Sequence, residues 1–235
     1  MLKFIDLFAG IGGFHLALQK LGHQCVFACE IDKTLADLYE KNYGIKPEGD
    51  IKNVNIETIP SHDILCAGFP CQPFSKAGKM LGAEHYYGDL FAEILKILEA
   101  KKPTYLFLEN VSHLKSQGKG LVWQEMKSSL GKLGYEIDEK IFSPHQFWIP
   151  QHRQRIYIIG SRKGLKHFSW IEPKENEKTD IKDILDINPP EAKPIGKDEL
   201  ACLELWQEFI DCIPTNISIP KFPIWGMEFG ATYPI

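Results

Sequence analysis

Residues 4–13 run from an apolar strand, Phe4-Ile5-Asp6-Leu7-Phe8-Ala9, straight into Gly10-Ile11-Gly12-Gly13 and then into a helical pattern that lasts to about Leu21. A strand that ends in glycines and turns at once into a helix is how open α/β sheets begin. The glycines let the backbone approach a ligand closely at the carboxyl end of the strand. The same alternation recurs downstream. Gln24–Cys29 reads as a second strand with a helix from about Thr34 to Asn42, and His62–Ala67 reads as a third strand. Apolar residues at helical spacing (Leu90, Ile94, Ile97, Leu98) predict a helix over Asp89–Ala100. Thr104–Leu108 reads as a fourth strand ending in Glu109-Asn110, followed by a helix near Leu121–Leu133 and strands near Tyr135–Phe142 and Arg155–Gly160. Strands alternating with helices imply a mostly parallel sheet covered on both faces.

At 235 residues the chain has room for one sizeable α/β domain and a smaller appendage. Composition marks the division: after Phe168 prolines interrupt a largely acidic stretch, with one amphipathic helix around Glu199–Ile210. The predicted domains are therefore residues 1–168 and 169–235. No apolar run reaches membrane-spanning length, and Met1-Leu2-Lys3-Phe4-Ile5-Asp6 enters a strand without a signal peptide, so neither membrane nor export is expected. The six cysteines form neither the paired spacing of a zinc site nor a dense disulfide framework; no metal is expected, and free thiols in a reducing cytoplasm are the default.

The net charge of −4 argues against a generally adhesive nucleic-acid binder, but the charge is uneven. Residues 172–211 carry 12 acidic and 5 basic side chains, whereas residues 1–171 carry 21 basic and 18 acidic. Gln151 to His167 holds Arg153, Arg155, Arg162, Lys163 and Lys166 with no acid. That local patch suits a phosphate partner, or is simply a solvated strand end.

Four polar elements fall at or near strand ends: Asp6/Gly10, Cys71, Glu109 and the Gln151–Arg155 segment. Around the first, the turn lacks the GxGxxG spacing of a nicotinamide dinucleotide site. Glu30 ends the second strand 20 residues after Gly10, where an acid can accept hydrogen bonds from ribose hydroxyls, and Asp50 can read an adenine amino group. Together they point to a nucleoside-bearing cofactor. After the third strand comes Gly68-Phe69-Pro70-Cys71-Gln72-Pro73-Phe74-Ser75. Prolines on both sides of the thiol stiffen this loop. By itself the loop leaves Cys71 either a nucleophile or a buried small hydrophobe.

A thiol, a carboxylic acid and a pair of arginines have a specific joint use. C5 of cytosine is too poor a nucleophile to attack a methyl sulfonium, but a thiolate adding to C6 creates an enamine-like carbon at C5 that can. An acid at N3 drains the charge that the addition generates, and arginine can hold the O2 carbonyl.

DLFAGIGG, GFPCQPFS, ENV at 109–111 and QHRQR at 151–155 closely resemble the ordered motifs of the DNA cytosine-5 methyltransferase family, over about residues 3–161. The resemblance implies a Rossmann-like class I S-adenosylmethionine-dependent methyltransferase domain of the α/β class with a small, incomplete target-recognition region. It also implies a target base flipped out of duplex DNA. It makes Cys71 the nucleophile, Glu109 the N3 acid, and Arg153 and Arg155 site arginines. Phe8, Gly10, Gly12, Glu30, Asp50, Ile51, Pro70 and Leu90 become contacts of S-adenosylmethionine, with S-adenosylhomocysteine as product. Ser75 through Gly88 corresponds to a loop that closes over DNA, with Ser75, Lys76 and Lys79 suited to phosphate contact. The implied setting is the bacterial cytoplasm and a restriction-modification system.

The family's two C-terminal motifs, a strand–helix segment and an Asn-bearing GN segment, are not found here. A truncated chain, a split enzyme completed by a second chain, and an inactive protein each account for that. The presence of all the catalytic residues weighs against simple decay, and the isolated chain is expected to bind cofactor weakly. A non-catalytic DNA-binding subunit and a related RNA methyltransferase remain alternatives. The aromatic tail Phe222, Trp225, Phe229 and Tyr233 is expected to be an uncovered core edge rather than a DNA-reading surface.

Overall fold

Six of the apolar runs become strands of one sheet in the computed structural model, which describes residues 1–70, 89–173, 180–214 and 216–217. The strands are β1 (Lys3–Leu7), β2 (Gln24–Cys29), β3 (Ile64–Gly68), β4 (Tyr105–Val111), β5 (Glu136–Phe142) and β6 (Arg155–Ser161), in the spatial order β2-β1-β3-β4-β6-β5. The first four in that order are mutually parallel, whereas β6 runs antiparallel to both β4 and β5. The helices are α1 (Gly13–Lys20), α2 (Lys33–Tyr43), α3 (Asp89–Lys101), α4 (Leu121–Lys132) and α5 (Lys197–Asp211). The α/β class expected from the sequence is the one observed. The expected loop around Cys71, with Ser75, Lys76 and Lys79, lies outside the described residues, as does the aromatic tail.

Local chemistry sets the element boundaries. Asp32 caps α2 by accepting the N–H groups of Thr34 and Leu35 at 2.8 and 3.0 Å, and Gly44, at φ 70°, ends the helix. Alternation along the strands sorts side chains between the two faces. Ile5, Leu7, Leu65, Ala67, Leu106 and Leu108 pack against α3 and α4, whereas Phe4, Ile64 and Cys66 pack with Leu18 of α1. The expected helical cover on both faces is not complete. Over β4, β6 and β5, on the α1 side, Tyr105, Phe107, Phe142, Tyr157 and Trp170 line an apolar groove of about 890 Å³. Apart from Leu18, no α-helical residue lines it.

The chain divides into two compact units, Met1–Asp183 and Ile184–Ile235, later than the boundary at 168 that composition suggested. Side chains just past 168 are tied to β5: Trp170 Nε1 donates to Asp138 Oδ2 at 2.9 Å, and Lys140 pairs with Glu172 at 2.7 Å. In the second unit, the Gly196 N–H donates to Glu199 Oε2 at 3.0 Å at the start of α5. Asp198 and Glu199 in its first turn suit the helix dipole. The helix leaves Leu203 and Trp206 about half exposed. Among the described residues no helix is long and apolar enough to cross a membrane.

Candidate active site

Because β6 is antiparallel, its first residue lies at the same sheet edge as the last residues of β1, β2, β3 and β4. Four sequence-distant segments therefore meet there. Gly68, the last residue of β3, pairs in register with Glu109 of β4, and Glu109 pairs with Tyr157 of β6. The strand β4 runs on through Val111, so Glu109 sits inside it rather than just beyond its end.

The Glu109 carboxylate reaches Arg155 Nε at 2.8 Å, and both side chains are largely shielded, at 25% and 20% exposure. A Cβ placed on Gly68 would lie 3.6 Å from Glu109 Oε2, so the acid lies over the strand exit that leads through Phe69 and Pro70 toward Cys71. Burial raises the Glu109 pKa above its ordinary 4.5, outweighing the pull of Arg155 and Arg153 in the other direction. An acid held toward its protonated form can donate to a ring nitrogen. Arg155 also donates to the Gln154 carbonyl at 2.9 Å, and Arg153 is held by its N–H to Ser143 Oγ at 3.0 Å. The structure thus brings Arg155 onto the acid.

Asn110, which the sequence reading left without a role, is 2% exposed and donates from Nδ2 to the Phe69 carbonyl at 2.9 Å. It fastens the exit of β3 to β4. The neighbouring residues Glu109 and Val111 gave no sign of this cross-strand bond. Replacing Asn110 by the isosteric aspartate sets a carboxylate against the carbonyl and is expected to destabilise the fold by roughly 2–3 kcal/mol. Urea denaturation at neutral pH checks this value.

At the other end of the edge the glycine turn follows β1. Phe8, Gly10 and Gly12 all have positive φ, at 56°, 54° and 84°. Gly12 has no room for a side chain, since a Cβ would lie 2.3 Å from the Tyr43 ring, whereas one on Gly10 would meet nothing within 4 Å. Glu30 accepts the N–H of Gly10 at 2.7 Å on one oxygen and that of Asp32 at 2.9 Å on the other. Each oxygen keeps a second lone pair for a hydroxyl donor. Asp50 accepts the Lys52 N–H at 3.0 Å, Ile51 is buried, Leu90 packs partly buried against the core, and Pro70 is exposed. Phe8, Gly10 and Glu30 thus lie together at the ends of β1 and β2, and the segment leading to Asp50 joins them through the Cys29 thiol, which donates to the Gly49 carbonyl at 2.8 Å.

Asp6 does not belong to that edge, although the sequence reading grouped it there. It is 1% exposed, accepts the Tyr39 hydroxyl at 3.4 Å, and has its pKa raised by burial to about 7. The three buried cysteines are poor nucleophiles: burial pushes Cys25 to about 11 and Cys29 to about 12, and Cys66 well above its ordinary value. Among the described residues no three His, Cys, Asp or Glu side chains cluster as metal ligands.

The sequence pattern of the C-5 cytosine-specific DNA methylase family matches residues 2–208. The chain belongs to that family. Among its curated relatives, type II methyltransferase M.HhaI of Haemophilus parahaemolyticus is 47% identical over 185 residues, which cover 78% of this chain and 57% of the relative. M.HaeII of Haemophilus aegyptius is 46% identical over 189 residues, covering 80% and 59%. The chain thus spans little more than half the length of these methylases. A solved structure of the Entamoeba histolytica methyltransferase EhMeth matches with a TM-score of 0.63 at 23% identity, over 84% of this chain and 64% of that one. At that identity the likeness concerns the fold. The S. pombe Dnmt2 methyltransferase gives a TM-score of 0.58 at 25% identity, over 82% and 59%. A cytosine methylase needs an acid aimed at the base and a cradle for its methyl donor, and the sheet edge carries candidates for both.

Proposed function

We propose that this chain carries the catalytic site of a DNA cytosine-5 methyltransferase that takes its methyl group from S-adenosylmethionine, of the restriction-modification type. The observation that carries the reading is the Glu109–Arg155 pair, shielded and lying over the exit of β3 three residues before Cys71. Phe8, Gly10, Gly12, Glu30, Asp50, Ile51, Pro70 and Leu90 would hold the cofactor, which when bound supplies a sulfonium methyl group.

In this reading the Cys71 thiolate adds to C6 of a flipped cytosine, forming an S–C6 bond, while Glu109 protonates N3. The electron density released to C5 accepts the methyl group. Loss of the C5 proton to a base then breaks the S–C6 bond, returning the thiolate, and N3 gives its proton back to Glu109. Arg155 holds the Glu109 carboxyl in place, and Arg153 adds positive charge beside it. Ser75, Lys76 and Lys79 contact DNA phosphates, and residues 169–235 form part of the target-recognition region.

A second element of the proposal is completion by further polypeptide of the kind that makes up the rest of the longer relatives. The apolar groove over β4, β6 and β5 favours it, because a surface lined by aromatic rings suits the apolar face of a packed helix.

Duplex DNA containing 5-fluorocytosine tests the chemistry. Fluorine at C5 blocks the final elimination, so with labelled cofactor a covalent protein–DNA adduct should accumulate. Cys71→Ser should give none. An adduct formed only with RNA would move the substrate to RNA. No adduct from the isolated chain, with one appearing on adding a completing polypeptide, would establish the split arrangement, and none under either condition would leave a non-catalytic subunit.

A further inference from the structure

We propose that Tyr43, the last residue of α2, is a positioning residue for the cofactor turn; this rests on the reading that the turn after β1 binds S-adenosylmethionine. The turn is gripped from two sides. From β2, Glu30 takes the Gly10 N–H at 2.7 Å, and the Cys29 carbonyl takes the Ala9 N–H at 2.9 Å. From α2, the Tyr43 hydroxyl donates to the carbonyls of both Ile11 and Gly12, at 3.1 and 3.2 Å.

The second grip fixes a peptide orientation. In a trans peptide the N–H points opposite to the C=O. With the Gly12 carbonyl turned toward Tyr43 and also accepting Leu16 N–H at 2.9 Å, the Gly13 N–H is turned the other way, out of the first turn of α1. Such a donor has no partner within its own helix. A Cβ on Gly13 would meet nothing within 4 Å, so no side chain packs against the Cα of this residue.

Tyr43 is itself held. Its ring stacks on His15 at 4.0 Å with a 16° tilt and meets Tyr39 edge-on at 4.7 Å, and the His15 Nδ1 bonds the Tyr39 hydroxyl at 2.7 Å. Burial, then the nearby Asp6 carboxylate, hold the Tyr43 hydroxyl above its usual pKa, so it stays a donor. The absence of a Cβ at Gly12 is what admits the ring so close.

The test is calorimetric titration of the full chain with S-adenosylhomocysteine, with melting temperature measured in parallel. Tyr43→Phe keeps the ring on His15 and removes only the donor. It should weaken binding by about 3- to 10-fold and lower the melting temperature by no more than about 2–4 °C, the cost of one lost hydrogen bond in a chain of this size. Methyl transfer at saturating cofactor should keep the wild-type rate. Glu30→Gln serves as the reference for the binding reading itself. If Glu30→Gln weakens binding and Tyr43→Phe stays within two-fold of wild type, the Tyr43 proposal fails alone. A fall in melting temperature well beyond about 4 °C also overturns it, since the residue is then merely structural. If the wild-type chain binds no S-adenosylhomocysteine either alone or with the completing polypeptide added, the cofactor reading and this proposal fall together.

Discussion

Methyl transfer to duplex DNA is expected to fall by about 10²- to 10⁴-fold when Glu109 is replaced by glutamine, the usual contribution of a positioned general acid. The amide can still accept a bond from Arg155 Nε, now at 2.8 Å from the carboxylate, so the shape of the site should survive. What is lost is a proton that can be given to N3 and taken back. Single-turnover rates at saturating DNA and cofactor measure this loss, and the 5-fluorocytosine adduct should form correspondingly slowly. A variant that transfers methyl at the wild-type rate would remove Glu109 from the chemistry. Because burial holds the Glu109 carboxyl above its ordinary value, the rate should also decline on the alkaline side, where the acid form is depleted.

The second large effect concerns stability and centres on Asp6. Its carboxyl has a pKa of about 7 in the fold against an ordinary 3.8, because burial disfavours the charge more than Tyr39 and the His15 backbone support it. The folded state therefore binds more protons than the unfolded state between these values. The associated stability is complete below about pH 3.8 and is lost as pH rises through about 7, a total of roughly 4 kcal/mol. Asp6 is faced by Tyr39 from α2, His15 from α1, Cys25 from β2 and Cys66 from β3, with Glu30 near enough to add to the rise. His15 and His62 act in the opposite sense: burial lowers both, so their contribution is lost as pH falls below the ordinary histidine value. Denaturation midpoints of wild type and Asp6→Asn, compared at pH 5 and pH 8, separate these terms. The variant should gain relative to wild type at pH 8. An equal pH dependence in the two proteins would contradict the assignment.

Much of the fold was legible because apolar runs and glycines mark strands and turns directly. β2 was read with its observed limits, Gln24–Cys29, since an apolar run there ends at two acids. β4 was read three residues too short, because Glu109 and Asn110 look like loop residues until β6 pairs with them. The direction of β6 was not legible at all: alternation along a strand does not report which way its neighbour runs. The acid, the arginines and the cofactor acids were singled out through the motifs that resemble the family's. Tyr43 and Asn110 were missed for a common reason. Their partners lie 31 and 41 residues away in the chain, and nothing local to either residue announces the contact. Asp6 was grouped with the edge because an acid beside a glycine turn looks functional, whereas period-two alternation sends it to the face beneath α1.

The strand order also dictates a sequence of assembly. Among the described strands β5 touches only β6, and β6 is the last of them to be synthesised. As the polypeptide emerges, residues 136–142 have no place in the sheet until residues 155–161 arrive to lie between them and β4. Until then the nascent molecule exposes the open edge of β4, and Glu109 waits there without its cation. A ribosome paused before Arg155 would thus hold a four-stranded intermediate with an unpaired acid on an uncovered strand edge, a species exposed to chaperones and proteases.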